Sequence, residues 1–149
     1  MPNHSHLYSN VGYNLLLAPA NKTADANSTG LDLQNCDDAT IVFTVGAIGD
    51  TLTTSNKLEL EIQESDDNST FTAVADADLT HVVAGATNTG TVMALTSGTT
   101  GQNSVYMTGY KGFKRYIRGV ANFSGTISVG TVVGVLGQTG MNRNQPVNT

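Results

Sequence analysis

Between Lys57 and Gln63 the chain alternates strictly, with Leu58, Leu60 and Ile62 on one parity and Glu59, Glu61 and Gln63 on the other. This two-residue period predicts a strand buried on one face, with Glu59 and Glu61 solvated on the opposite face. Ser65-Asp66-Asp67-Asn68-Ser69 follows. Asp and Asn tolerate left-handed backbone and bond nearby amides, so this run predicts a tight connection to a returning strand at Phe71, Ala73 and Val74. A second clear strand spans Ala39–Gly46, where Ile41, Phe43 and Val45 share one face and Thr40, Val42 and Thr44 the other.

The remaining pattern is weaker. Leu15–Ala20 predicts a short strand stopped near Pro19, with a polar loop to Gly30 and another short strand at Leu31 and Leu33. Ala75–Leu79 predicts one helical turn, and Val82-Val83 and Thr91–Leu95 are strand candidates separated by a loop of small residues. Val105–Tyr110 and Phe113–Ala121 predict two further strands, the second with Tyr116 and Val120 inward and the Arg118 stem lying over apolar surface, or with the opposite face of Arg115, Ile117, Gly119 and Ala121 inward. After a turn at Asn122–Gly125, Thr126–Leu136 supplies the last strand or pair of strands. Some eight short strands joined by Gly, Ser, Asn and Asp predict an all-β antiparallel sandwich, jelly-roll-like or immunoglobulin-like, with an open barrel as the alternative. The expected organisation is an arm at 1–14, a sandwich domain at 15–136 and a polar tail at 137–149.

Composition supports one domain: 149 residues, 39% hydrophobic and only 13% charged. A net charge of -5 argues against a nucleic-acid partner, which asks for clustered Lys and Arg. The start lacks the basic-then-apolar pattern of a signal peptide, and no apolar run is long enough to cross a bilayer, so synthesis in a cytoplasm and no membrane partner are expected. Cys36, the sole cysteine, forms no intrachain disulfide and is expected to be a small, at least half-buried side chain.

Candidate chemistry is thin. Asp66, Asp67, Asn68, Asp76 and Asp78 offer oxygens, but without the spacing of a known calcium loop. His4 and His6 read as exposed residues near a terminus. Glu59, Glu61 and Glu64 do not make a glycosidase pair, because Glu59 and Glu61 share one face of one strand. His81, Asp78 and Cys36 occur in no nucleophile motif, and the glycines of 109–125 form no phosphate loop. No catalytic, cofactor or metal residue is therefore assigned.

Lys111, Lys114, Arg115 and Arg118 are the one basic cluster, interleaved with Tyr110 and Tyr116. Aromatic and Arg anchors dominate many binding interfaces. Tyr110, Lys114, Arg115 and Arg118 are therefore candidate interface residues, together with the arm anchors Leu7, Tyr8 and Tyr13. A carbohydrate-binding module would need aromatics lining a groove, and a chain with no Trp, five Tyr and four Phe ranks lower for that role.

Ile62-Gln63-Glu64-Ser65-Asp66-Asp67-Asn68-Ser69-Thr70-Phe71-Thr72-Ala73-Val74, followed later by Gly109-Tyr110-Lys111-Gly112-Phe113-Lys114-Arg115-Tyr116-Ile117-Arg118, resembles small proteins encoded among the structural genes of tailed bacteriophages. The likeness covers roughly Leu31 to Val135; the His-containing arm and Asn-rich tail depart from it. It implies a non-enzymatic virion protein, most economically a head decoration or cement protein on the outer capsid surface. Its partner would be the major capsid protein, and it would act as a homo-oligomer, preferably a trimer. A neck, tail or fibre component is the alternative.

Overall fold

The structure, a computed structural model, describes residues 10–140. Ten strands follow in order: β1 Val11–Lys22, β2 Ala26–Asn27, β3 Leu31–Asp32, β4 Asp38–Ile48, β5 Lys57–Ser65, β6 Thr72–Ala73, β7 Thr91–Leu95, β8 Ser104–Gly109, β9 Tyr116–Ser124 and β10 Thr131–Gly140. A 3-10 turn at Asp76–Asp78 supplies the expected helical turn. One sheet runs β1-β10-β4-β8; in the other, β9 and β5 are neighbours, β2 and β3 pair with β9, and β6 and β7 pair with β5. Every pairing between these strands is antiparallel. With β2 and β3 taken as one interrupted strand, and β6 and β7 as another, this order is that of a jelly-roll sandwich.

The core lies between the sheets. Ile41, Phe43 and Val45 of β4 meet Leu58, Leu60 and Ile62 of β5 in one buried cluster, as their alternation predicts. The connection after β5 is also as expected: Asn68 adopts φ 56, and Asp67 Oδ1 accepts from the Ser69 and Thr70 amides at 2.9 and 2.8 Å. The returning strand shrinks to Thr72–Ala73, because β5 pairs instead with β9 from Lys57↔Ser124 to Ser65↔Tyr116 and with β7.

Four expectations change. Glu59 and Glu61 are not solvated but 3% and 1% exposed. The segment before β7 folds over this face, where the Thr87 amide donates to Glu59 at 2.9 Å and Asn88 to Glu61 at 2.8 Å. Gln63 adds a 2.9 Å bond to Glu61, and Lys57 lies 3.1 Å from Glu59, so both buried carboxylates have partners. The first-named parity of β9 gives way to the other: Ile117, Gly119 and Ala121 face the core, while Arg118 faces outward and Val120 is buried on that outer face. Gly119 makes this possible, since a Cβ there would lie 2.8 Å from Val135 Cγ1 and 2.9 Å from Phe43 Cε1 in the facing sheet.

Pro19 does not end β1, which continues to Lys22 through register shifts between Leu15 and Ala20; β1 is an edge strand, where a missing N–H is tolerated. Finally, the outer boundaries move. β1 begins inside the segment assigned to the arm and β10 ends inside the segment assigned to the tail, because the two pair from Val11↔Gly140 to Asn14↔Gly137. Paired backbones supply there what side-chain pattern does not reveal.

Two predictions follow from this packing. Gly119→Val forces the Val135 and Phe43 side chains of the facing sheet apart and lowers unfolding free energy in urea by about 1–3 kcal/mol. The second concerns acid. Asp50 accepts from the Gly130 amide at 2.6 Å and from Ser128 and Val129, which fastens the entry to β10. These bonds, that from Gly130 foremost, hold its carboxyl at about 2, and the Thr70 and Ser69 amides do the same for Asp67. Because both values are depressed in the fold, their stabilisation is complete above about pH 4 and is lost as pH falls towards about 2. Melting temperature measured across that window should fall less steeply in a D50N/D67N variant than in wild type.

Candidate interface at the Tyr110–Arg115 corner

The segment from β8 to β9 turns a corner at one end of the sandwich. Tyr110 enters it pinned by backbone: its amide donates to Ala39 O at 2.9 Å and the Lys111 amide to Asp78 O at 2.7 Å. Gly112 then crosses the Tyr110 ring so closely that a Cβ would lie 2.5 Å from Cζ. The buried Tyr110 hydroxyl donates to Glu64 Oε2 at 2.6 Å and accepts from the Lys114 amide at 3.0 Å. Burial, reinforced by the Glu64 carboxylate, pushes this phenol well above its ordinary pKa, so it remains a donor.

Arg115 closes the other side. Its Nε and Nη2 donate to the two carboxylate oxygens of Asp32 at 3.0 and 2.8 Å, and Nη2 also reaches Gln34 Oε1 at 2.7 Å. The Leu33 amide donates to Arg115 O at 2.8 Å, and the guanidinium lies 5.0 Å from the Tyr116 ring centroid. Lys114 pairs with Asp66. The hydrogen bond to Arg115 holds Asp32 below the usual carboxylate range. Between these clamps stands Phe113, 100% exposed. It borders an open groove of about 440 Å³ whose walls include Leu33, Cys36, Ala39 and Tyr110. Cys36 is half-buried there, and burial raises its thiol pKa.

The corner therefore brings together Tyr110, Lys114 and Arg115 from the candidate interface set. It does not include Arg118, which lies on the outer face of β9 with its guanidinium 4.1 Å from the Phe71 ring centroid and two bonds to Gln63 Oε1. Tyr13 lies on β1, 63% exposed, while Leu7 and Tyr8 fall outside the described residues. The basic cluster is also less available than its composition suggests, because Lys114 and Arg115 are paired with carboxylates of their own chain. Phe113 is the residue missed in the sequence, where it reads as the first residue of a strand. The available signal is its place between Gly112 and Lys114, outside any two-residue alternation.

Among the described residues, no group of three or more His, Cys, Asp or Glu is placed to hold a metal. The His81 backbone is bound to the Thr108 hydroxyl, through its amide at 3.0 Å and its carbonyl at 2.8 Å. Among the described residues, no helix is long and apolar enough to cross a membrane. The chain is an all-β antiparallel sandwich carrying an aromatic corner. No family model and no curated protein matches it.

The Tyr110 hydroxyl is the bolt of this corner. Y110F should cost about 1.5–3 kcal/mol, the range for a hydrogen bond to a charged group. It should also raise the hydrogen-exchange rate of the Lys114 amide while leaving amides at the centre of β5 protected.

Proposed function

We propose that this chain is a non-enzymatic structural protein of a tailed-phage particle, docking on the outer surface of the shell and bridging major capsid protein subunits. The observation that carries the proposal is Phe113, fully exposed on a corner whose flanking residues are fastened by side-chain bonds. An aromatic side chain on a pre-ordered loop binds with little further loss of freedom, which suits it as an anchor. The corner is also built from the Gly109–Arg118 stretch in which the resemblance to phage structural proteins resides. The fold decides nothing by itself, since jelly rolls serve unrelated roles.

In this account each copy contributes a modest contact, and repetition over the shell multiplies it. Binding that favours the closed lattice over separated subunits stabilises the lattice by mass action. Because Lys114 and Arg115 are already ion-paired, the contact rests on apolar burial and not on charge attraction.

F113A tests this directly. Retention on purified particles should fall by roughly 30-fold or more, as for a central interface anchor. The melting temperature should stay near wild type, and wild-type retention should persist in high salt. Undiminished retention of F113A would remove the corner from the interface. Recovery of only a few copies, at a single vertex, would move the protein to the neck or tail.

A further inference from the structure

The outer faces of the two sheets differ in kind. Over β5 and β9 the outward polar residues are Glu59, Glu61, Gln63, Arg118 and Asn122, bonded to one another or covered by the segment before β7, and the apolar Val120 among them is buried. The outer face of the four-stranded sheet is uncharged over three rows, up to the row of Asp38, and apart from Thr80 beside Gly109 has no such cover among the described residues. Its strand register sets side chains in rows that cross all four strands. Leu15, Leu136, Val42 and Met107 form the central row. Tyr13, Gln138, Thr40 and Gly109 form the row on one side, and Gly134, Thr44 and Val105 continue the row on the other, with Pro19 against Gly134. Leu15 is 62% exposed, Met107 56%, Val105 56% and Tyr13 63%. None of these rows contains Asp, Glu, Lys or Arg.

We infer that this face pairs with the same face of a second copy of the chain, about a twofold axis parallel to the strands. Two chains that each carry -5 repel, and an uncharged face lets them meet without setting like charges together. The rows are also self-complementary. A twofold along the strands lays β1 over β8 of the second copy and β10 over its β4, so each row stacks on itself in reverse. Leu15 then meets Met107 of the second copy and Leu136 meets its Val42. Pro19 falls over Val105, and Tyr13 falls over the end of its row at Gly109, where the Thr80 side chain lies 3.1 Å from the position of a Gly109 Cβ. Strands of the two copies run aligned, the usual arrangement for stacked sheets. At about 4.8 Å between strands and about 3.4 Å per residue, the face measures roughly 400–650 Å² in plan, which places the contact at the small end of specific interfaces, below the ~800 Å² that each partner buries in a standard one.

This pairing is independent of what the Phe113 corner binds, and it is a dimer where the phage resemblance implies a trimer. Sedimentation velocity of the full chain at micromolar concentration should give twice the 15.5 kDa chain mass. L15E and M107K change exposed side chains, so circular dichroism and melting should remain close to wild type. Each alone places two charges against apolar partners and should weaken dimerisation by roughly 30-fold or more. An equimolar mixture of L15E and M107K should regain the dimer, because a mixed pair has one Glu–Lys contact and one unaltered Leu–Met contact. A monomeric wild type would overturn the proposal and indicate that another partner, or the chain's own terminal segments, covers the face. A trimer, variants that still dimerise, or a mixture that stays monomeric would also overturn it.

Discussion

Burial of β5 on both faces is the constraint on which the rest of the structure depends. Its inward residues Leu58, Leu60 and Ile62 are fully buried, and its outward residues Glu59 and Glu61 nearly so. A buried carboxylate needs partners, and here they come from distant segments: Thr87 and Asn88 before β7, and Asn122 on β9. The same bonds that satisfy the carboxylates hold the 80–90 connection over the sheet and help fix the register of β5 against β9. That register in turn places Gly119 against Phe43 and Val135 of the facing sheet, where a side chain would not fit.

The consequence is an asymmetric sandwich. Polar residues on the outside of one sheet are closed over by the chain's own backbone, whereas the outside of the other carries uncharged rows. At one end, the Tyr110 hydroxyl ties Glu64 at the end of β5 to the backbone of the Phe113 corner. The central strand thereby positions the exposed aromatic as well as the core. The ordered corner around Phe113 and the uncharged sheet face are the two surfaces on which the proposed contacts rest.

Much of the fold was legible because burial on one face imprints a two-residue period: Ile41, Phe43 and Val45, and Leu58, Leu60 and Ile62, point inward as that period requires. The Asp67 turn was legible because its chemistry is local. Glu59 and Glu61 were not, since their cover comes from residues about thirty positions away and no alternation announces it. The inward parity of β9 was hidden because one inward position is Gly119, whose role is to leave room. The β1–β10 ends were hidden because residues such as Asn14 and Gly137 pair by backbone alone. Of the candidate interface residues, Tyr110, Lys114 and Arg115 do converge on one corner. Arg118 was grouped with them by sequence proximity, but the alternation of β9 turns it onto the outer face of the sheet.

The most direct measurement is the location of this chain in purified phage particles, by quantitative mass spectrometry together with electron cryo-microscopy. The account predicts many copies distributed over the shell, each with Phe113 at the contact with the capsid subunits. Absence from the particles, or attachment with the Phe113 corner turned to solvent, would contradict it.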